Sequence, residues 1–205
     1  MTAAGADPRR GLLVVIAGPS GVGKGTVHAR VREALPDAWL SVSLTTRPAR
    51  PGEREGVDYH FVDRPTFERA IADGSLLEWT EYAGNLYGTP VAPVDDAIAH
   101  GKVVVLDFEL EGAFAVKAMR PDDTLTIALV PPSMKELERR LRARGTEDAE
   151  ILATRLEVIR EQMPHWDRFD RVIVNADLDR CVEEVLAAIA EARAIPPGDN
   201  GRPTA

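Results

Sequence analysis

The chain has 205 residues, 44% of them hydrophobic and 28% charged, enough to bury one sizeable α/β core with insertions. A formal net charge of −8 leaves no general basic surface for a nucleic acid, although it permits a local cluster of arginines around a nucleotide. The single cysteine, Cys181, excludes an intramolecular disulfide and a cysteine-rich zinc site, and no apolar run approaches the ~18 residues of a membrane span. Residues 1–10 are small, polar and aperiodic and are expected to form a disordered tail, as is the proline- and glycine-rich stretch 194–205. Arg9-Arg10 superficially suggests an export signal. The apolar run that follows is shorter than a signal core and feeds a glycine-rich turn, so the expected compartment is the cytoplasm.

The organising stretch is Leu12 to Val27. Leu12 to Ala17 is too short for a core helix and reads as a strand buried on both faces. It runs into Gly18-Pro19-Ser20-Gly21-Val22-Gly23-Lys24-Gly25-Thr26, after which Val27, Val31 and Leu35 recur at helical spacing until Pro36 breaks the pattern. A glycine-rich turn between a buried strand and a helix start lets backbone N–H groups cradle phosphate oxygens. The helix dipole and the Lys24 charge reinforce that hold. This is a P-loop. The residue directly after its lysine is Gly25 rather than a hydroxyl residue. A magnesium contact there falls to Thr26, directly or through a water.

From Ser41 to Ala99 the texture changes. Prolines, glycines and arginines crowd Arg47 to Gly56, and strand-like pieces lie around Tyr59 to Val62 and Leu76 to Trp79. A short helix between those pieces closes at Gly74, and another from about Ala92 to His100 ends at Gly101. Buried strands return at Val103 to Phe108, Leu125 to Val130 and Arg171 to Val174. Ser133 and Glu136 form a capping box for a helix bearing Arg139, Arg140, Arg142 and Arg144. Gly145 ends that helix, Thr146 caps the next, and Glu147, Asp148 and Glu150 fill its first turn. Leu178 to Arg193 is a last amphipathic helix that buries Cys181. Alternating strands and helices imply a mostly parallel sheet with ligands at the carboxyl ends of its strands.

Two constellations narrow the phosphate chemistry. Arg47 and Arg50, three apart in a proline-stiffened loop, can fork around one phosphate monoester, with Tyr59 donating to the same group; the alternative is a solvated basic turn. Glu78 precedes Trp79 and a segment running to Thr89. A buried carboxylate there can accept parallel hydrogen bonds from guanine N1–H and its 2-amino group, which adenine cannot supply. Alone, Glu78 would read as a surface acid. The arginines of 139–144 alone read as a solvated helix. The four histidines show no partner at ligand or triad spacing.

These motifs together resemble the guanylate kinase family from Gly11 to about Arg193: GPSGVGKGT, SVSLTTRPARPGEREGVDYHF, LLEWTEYAGNLYGTPV, ELEGA, VPPSMKELERRLRARGTE and VIVNADLD. The resemblance implies an α/β P-loop NTPase three-layer fold. Residues 11–40, 100–130 and 160–193 would form the parallel core, 41–99 an inserted mixed GMP-binding subdomain, and 131–159 a helical lid. It implies transfer of the γ-phosphoryl group of ATP to GMP, with Mg2+, no nucleic acid and no membrane, and leaves monomer or homo-oligomer open. By the same resemblance Ser43, Glu78 and Thr89 contact guanine, with Glu109 as a further base contact. Arg47, Arg50, Tyr59 and Tyr87 contact the GMP phosphate. The P-loop and Asn175 serve ATP, with Asn175 near the adenine. Asp107 lies near the magnesium, acting through water. Lys24, Arg47, Arg140, Arg144 and Arg155 act on the transferring group. Gly25 departs from the family's more usual serine and matches the GKGT of adenylate kinases. That leaves another P-loop small-molecule kinase, for adenylate or a ribose bisphosphate, as one alternative; a non-catalytic guanylate-kinase-like binding module is the other.

Overall fold

The computed structural model describes residues 10–144 and 149–195, without the side chains of Arg144 and residues 149–151. The expected tails therefore lie outside the described residues except at their inner ends. There Arg10 donates to the Ile195 carbonyl at 2.8 Å, and Arg193 donates back to the Arg10 carbonyl at 2.9 Å. The expected Thr146 cap and its acidic first turn lie outside the described residues or side chains as well.

Strand β1 (Leu12–Ala17) leads through the glycine turn to α1 (Lys24–Ala34). Then follow β2 (Ala38–Trp39), β3 (Leu44–Thr45), β4 (His60–Phe61), α2 (Arg64–Ala72), β5 (Leu76–Tyr82), β6 (Asn85–Pro90) and α3 (Val91–Ala99). The rest comprises β7 (Val103–Asp107), α4 (Leu110–Met119), β8 (Thr124–Val130), α5 (Met134–Arg144), α6 (Ala149–Gln162), a 3-10 turn (Met163–Arg168), β9 (Arg171–Val174) and α7 (Leu178–Ala194). Local chemistry sets the helix ends. Asp63 caps α2 by accepting from the Thr66 amide at 2.9 Å, and Asp177 caps α7 through the Arg180 amide at 3.0 Å. The Ser133 hydroxyl accepts from the Glu136 amide at 3.2 Å, the forward half of the expected capping box, whereas the Glu136 carboxylate turns to Arg139 and Arg140.

One sheet has the order β2-β7-β1-β8-β9, and all its pairings are parallel. Because side chains alternate along a strand, β1 feeds two cores. Leu12, Val14 and Ile16 pack with Val27, Val31, Val182, Val185 and Ile189 from α1 and α7. Leu13, Val15 and Ala17 pack with Val94, Ala97, Ala113, Val116 and Trp166 on the other face. This is the three-layer α/β core that the resemblance implies, around the mostly parallel sheet expected from the alternating strands and helices. The edge strand β9 buries only Ile173.

A second sheet has the order β4-β3-β6-β5, with β6 antiparallel to both neighbours and β3 parallel to β4. Ala83 (φ 50°) and Gly84 (φ 76°) make the tight turn between β5 and β6. A bulge between Leu76 and Glu78 interrupts that pairing, and the intervening Leu77 is buried in the core cluster that holds Ala113 and Phe108. The second sheet is thereby seated against the first. Three strands went unpredicted: β2, β3 and β6. Helix α4 also carried no expectation. The helices α5 and α6 pack through Leu137, Leu141, Leu152, Leu156 and Ile159.

Candidate active site

The carboxyl end of β1 turns into the P-loop under tight steric control. A Cβ on Gly18 would sit 2.4 Å from the Leu129 carbonyl oxygen, so the loop must pass this close to β8 as glycine. Gly23, at φ 103°, stands at the head of α1 and accepts from the Thr26 and Val27 amides, both at 3.1 Å. The N-terminal amides of α1, which a helix cannot satisfy internally, therefore face the end of the sheet. The Lys24 ammonium donates to the Gly18 carbonyl at 2.6 Å, lying across the loop, and is 3.8 Å from the Asp107 carboxylate at the end of β7. Burial pushes the Asp107 carboxyl above its ordinary range, and the Lys24 charge opposes that shift. His28, one turn into α1, feels the same carboxylate; burial holds its imidazole below the usual range.

Side chains distant in sequence brace this loop. The Arg155 guanidinium reaches the Ser20 hydroxyl at 3.2 Å. Arg140 donates to the Val22 carbonyl at 3.4 Å and the Asn175 carbonyl at 3.1 Å, while its Nε is held by Glu136 at 2.9 Å. Arg139 and Arg140 together hold the Glu136 carboxyl down at about 2. Arg140 and Arg155 are thus both brought to the P-loop. The Arg144 side chain lies outside those described. Asn175, expected beside an adenine, is buried and donates its amide to the Val22 carbonyl at 2.7 Å. Glu109 is exposed at the head of α4 and shares a small recess with Gly18, Gln162 and Trp166.

The second sheet gathers the other predicted residues. Glu78 on β5 lies opposite Thr89 on β6, and the Thr89 hydroxyl donates to the Glu78 carboxylate at 3.0 Å. Burial raises the Glu78 carboxyl above its ordinary range, and the Thr89 hydrogen bond partly offsets this. Two residues back along β6, Tyr87 pairs with Thr45 of β3 and meets the Tyr59 ring edge-on at 6.1 Å. The Arg47 guanidinium lies 5.5 Å over the Tyr59 ring. Ser43 takes part through its carbonyl, which accepts from the His60 amide at 2.9 Å. Arg50 is exposed at the rim of the same loop.

Sequence reasoning missed Glu53. It grips Arg47 through two hydrogen bonds, at 2.7 and 3.0 Å, and accepts from the Arg50 amide at 2.7 Å. Those contacts hold its carboxyl below the ordinary range. Its place three residues after Arg50, in a Pro-Gly turn, was the available signal. Of the histidines, His60 pairs with Glu55 at 2.9 Å on the surface, which makes neither a ligand set nor a triad. Among the described residues, no cluster of three or more His, Cys, Asp or Glu could hold a metal, and no helix is long and apolar enough to cross a membrane.

A phosphate-gripping loop at the carboxyl edge of a parallel sheet, beside a second sheet carrying Glu78, Arg47 and paired tyrosines, defines a P-loop phosphotransferase of the nucleotide-kinase class. The family model described as "Guanylate kinase" matches residues 10–192. The guanylate kinase of Zymomonas mobilis is 47% identical over 177 residues, covering 86% of this chain and 82% of the relative. That of Thermobifida fusca is 49% identical over 184 residues, covering 90% and 92%. Among solved structures, guanylate kinase from Anaplasma phagocytophilum superposes with a TM-score of 0.69 at 31% identity, covering 91% of this chain and 88% of that one. The chain belongs to the guanylate kinase family.

Proposed function

We propose that this chain transfers the γ-phosphoryl group of ATP to GMP, giving ADP and GDP, with dGMP as a further acceptor, in the cytoplasm. The observation that carries the acceptor assignment is the Glu78 carboxylate, half-buried and held by Thr89 on the sheet whose strand β6 presents Tyr87 and whose adjoining segments bring Arg47 and Tyr59 together. A carboxylate there accepts from guanine N1–H and the 2-amino group. Adenine, with an acceptor at N1 and no 2-amino group, would leave it unpaired at high cost. Ser43, Thr89 and Glu109 complete the base contacts. Arg47, Arg50, Tyr59 and Tyr87 hold the acceptor phosphate.

In this reading residues 41–99 bind GMP, residues 131–159 form the lid, and the remaining core with the P-loop and Asn175 serves ATP. The loop amides and Lys24 hold the donor phosphates. An oxygen of the GMP phosphate attacks the γ-phosphorus, the bond to the β-phosphate oxygen breaks, and that oxygen leaves with ADP. The attacking group is already anionic, so no general base is required. Lys24, Arg47, Arg140, Arg144 and Arg155 offset the charge spread over the transferring group, and closure excludes water. Magnesium suits the residues present. Asp107 offers a half-exposed carboxylate at the loop, acting through water, and Thr26 an exposed hydroxyl, direct or through water. With no cluster of three or more acids, His or Cys among the described residues, the ion would take most ligands from phosphate and solvent, as Mg2+ does beside nucleotides. When bound it neutralises the donor phosphates.

An ADP-coupled assay across GMP, dGMP, AMP and a ribose bisphosphate tests the reading. GMP is expected to turn over fastest, and faster turnover of AMP would overturn it. A pH profile probes Glu78 separately. Guanine recognition needs the ionised carboxylate, so GMP affinity is full above the raised Glu78 pKa and falls as pH drops through it. Thr89→Val removes the one hydrogen bond that lowers this pKa. The acidic limb of KM for GMP should therefore move to higher pH, with KM for ATP as the control. A limb that stays in place would contradict guanine recognition by Glu78.

A further inference from the structure

Asn175 follows β9, and its backbone amide donates to the Val130 carbonyl at 2.8 Å, which fixes the residue to the end of β8. Its side-chain amide is buried and donates to the Val22 carbonyl at 2.7 Å, across 153 residues of chain. In a trans peptide the C=O and the following N–H point in opposite directions. Holding the Val22 carbonyl toward Asn175 therefore turns the Gly23 N–H away from it. Gly23 fits the same contact: a Cβ there would come within 2.7 Å of the Asn175 amide nitrogen. The Arg140 guanidinium then sits on both carbonyls, those of Val22 and Asn175.

We propose that Asn175 is a positioning residue of the P-loop, holding the Val22 carbonyl from the end of the core sheet so that the Gly23 N–H is directed at the donor phosphates. It acts on the phosphate end of the donor rather than on its base. The proposal rests on the reading of residues 18–26 as the triphosphate site. By seating Arg140, Asn175 also joins α5 to that loop without touching the substrate through its own side chain.

Removing the amide takes away the short bond to the Val22 carbonyl and leaves it only the longer one from Arg140, at 3.4 Å, so the peptide can turn more freely and phosphate binding should weaken about tenfold. The test uses the full chain and calorimetric binding of inorganic tripolyphosphate, ATP and GMP to wild type, Asn175→Ala and Asn175→Asp. Tripolyphosphate carries the phosphates without a base. Both variants are expected to lose affinity for tripolyphosphate and ATP by the same factor and to keep GMP affinity. A loss confined to ATP would make Asn175 an adenine contact and overturn the proposal, as would unchanged binding of both ligands. Loss of GMP binding together with the phosphate ligands, in both variants, would assign Asn175 to general stability and overturn it too. Failure of the wild type to bind either phosphate ligand would remove the reading of the loop itself, and the proposal with it.

Discussion

Lys24→Ala is expected to lower turnover by ~10²-fold or more, the scale of removing one preorganised charge-stabilising donor. The ammonium lies on the Gly18 carbonyl at 2.6 Å and 3.8 Å from Asp107, within the loop that holds the donor. Lys24 opens α1, and alanine is an excellent helix former, so the helix should survive the substitution. The loop amides remain, and ATP binding should suffer less than kcat. GMP affinity, set on the other sheet, should stay at its wild-type value and so report a folded protein. Steady-state kinetics with both substrates varied makes the comparison. Near-normal turnover would remove Lys24 from the chemistry.

The second large effect is on recognition. Glu78→Gln should raise KM for GMP by ~10²-fold or more while leaving KM for ATP unchanged. The substitution keeps the size of the side chain but exchanges one acceptor oxygen for an NH2 group, which must then face either the guanine N1–H or its 2-amino group. Thr89 loses less, because its hydroxyl can turn to donate to the remaining amide oxygen. The ratio of GMP to AMP turnover should narrow in the same variant, since the penalty against adenine disappears with the charge. Equal losses for both substrates, measured in one two-substrate kinetic matrix, would mean that Glu78 supports the fold rather than the base.

What could be read from the chain follows from how local each signal is. β1 and the P-loop are legible because an apolar run, a glycine turn and a helical period follow one another directly. The short strands were not. β3 has only Leu44 and Thr45, and β6 contains Gly88 and Pro90, residues that argue against a strand on their own. β6 extends because β3 and β5 pair with its two edges, a fact no window of sequence contains. Helix α4 was missed because Leu110 to Met119 mixes small and apolar residues with little contrast between faces. In the site, Glu78 lies beside Thr89, and Arg47, Tyr59 and Tyr87 lie together, residues that the motifs had already singled out. The Glu53 clamp on Arg47 depends on how one proline-rich loop folds back. The Asn175 contact with Val22 depends on two chain segments meeting at the end of the sheet.

Cys181 carries a last consequence. It is the chain's one cysteine, fully enclosed within α7, and burial pushes its thiol up to about 11. A sulfur that stays protonated and out of reach offers peroxide or disulfide reagents almost nothing to attack. Activity should therefore be indifferent to thiol-directed reagents and to disulfide exchange. A maleimide dye added to the native protein will report only a cysteine placed deliberately, so distances between the two sheets can be followed without first erasing a natural label site.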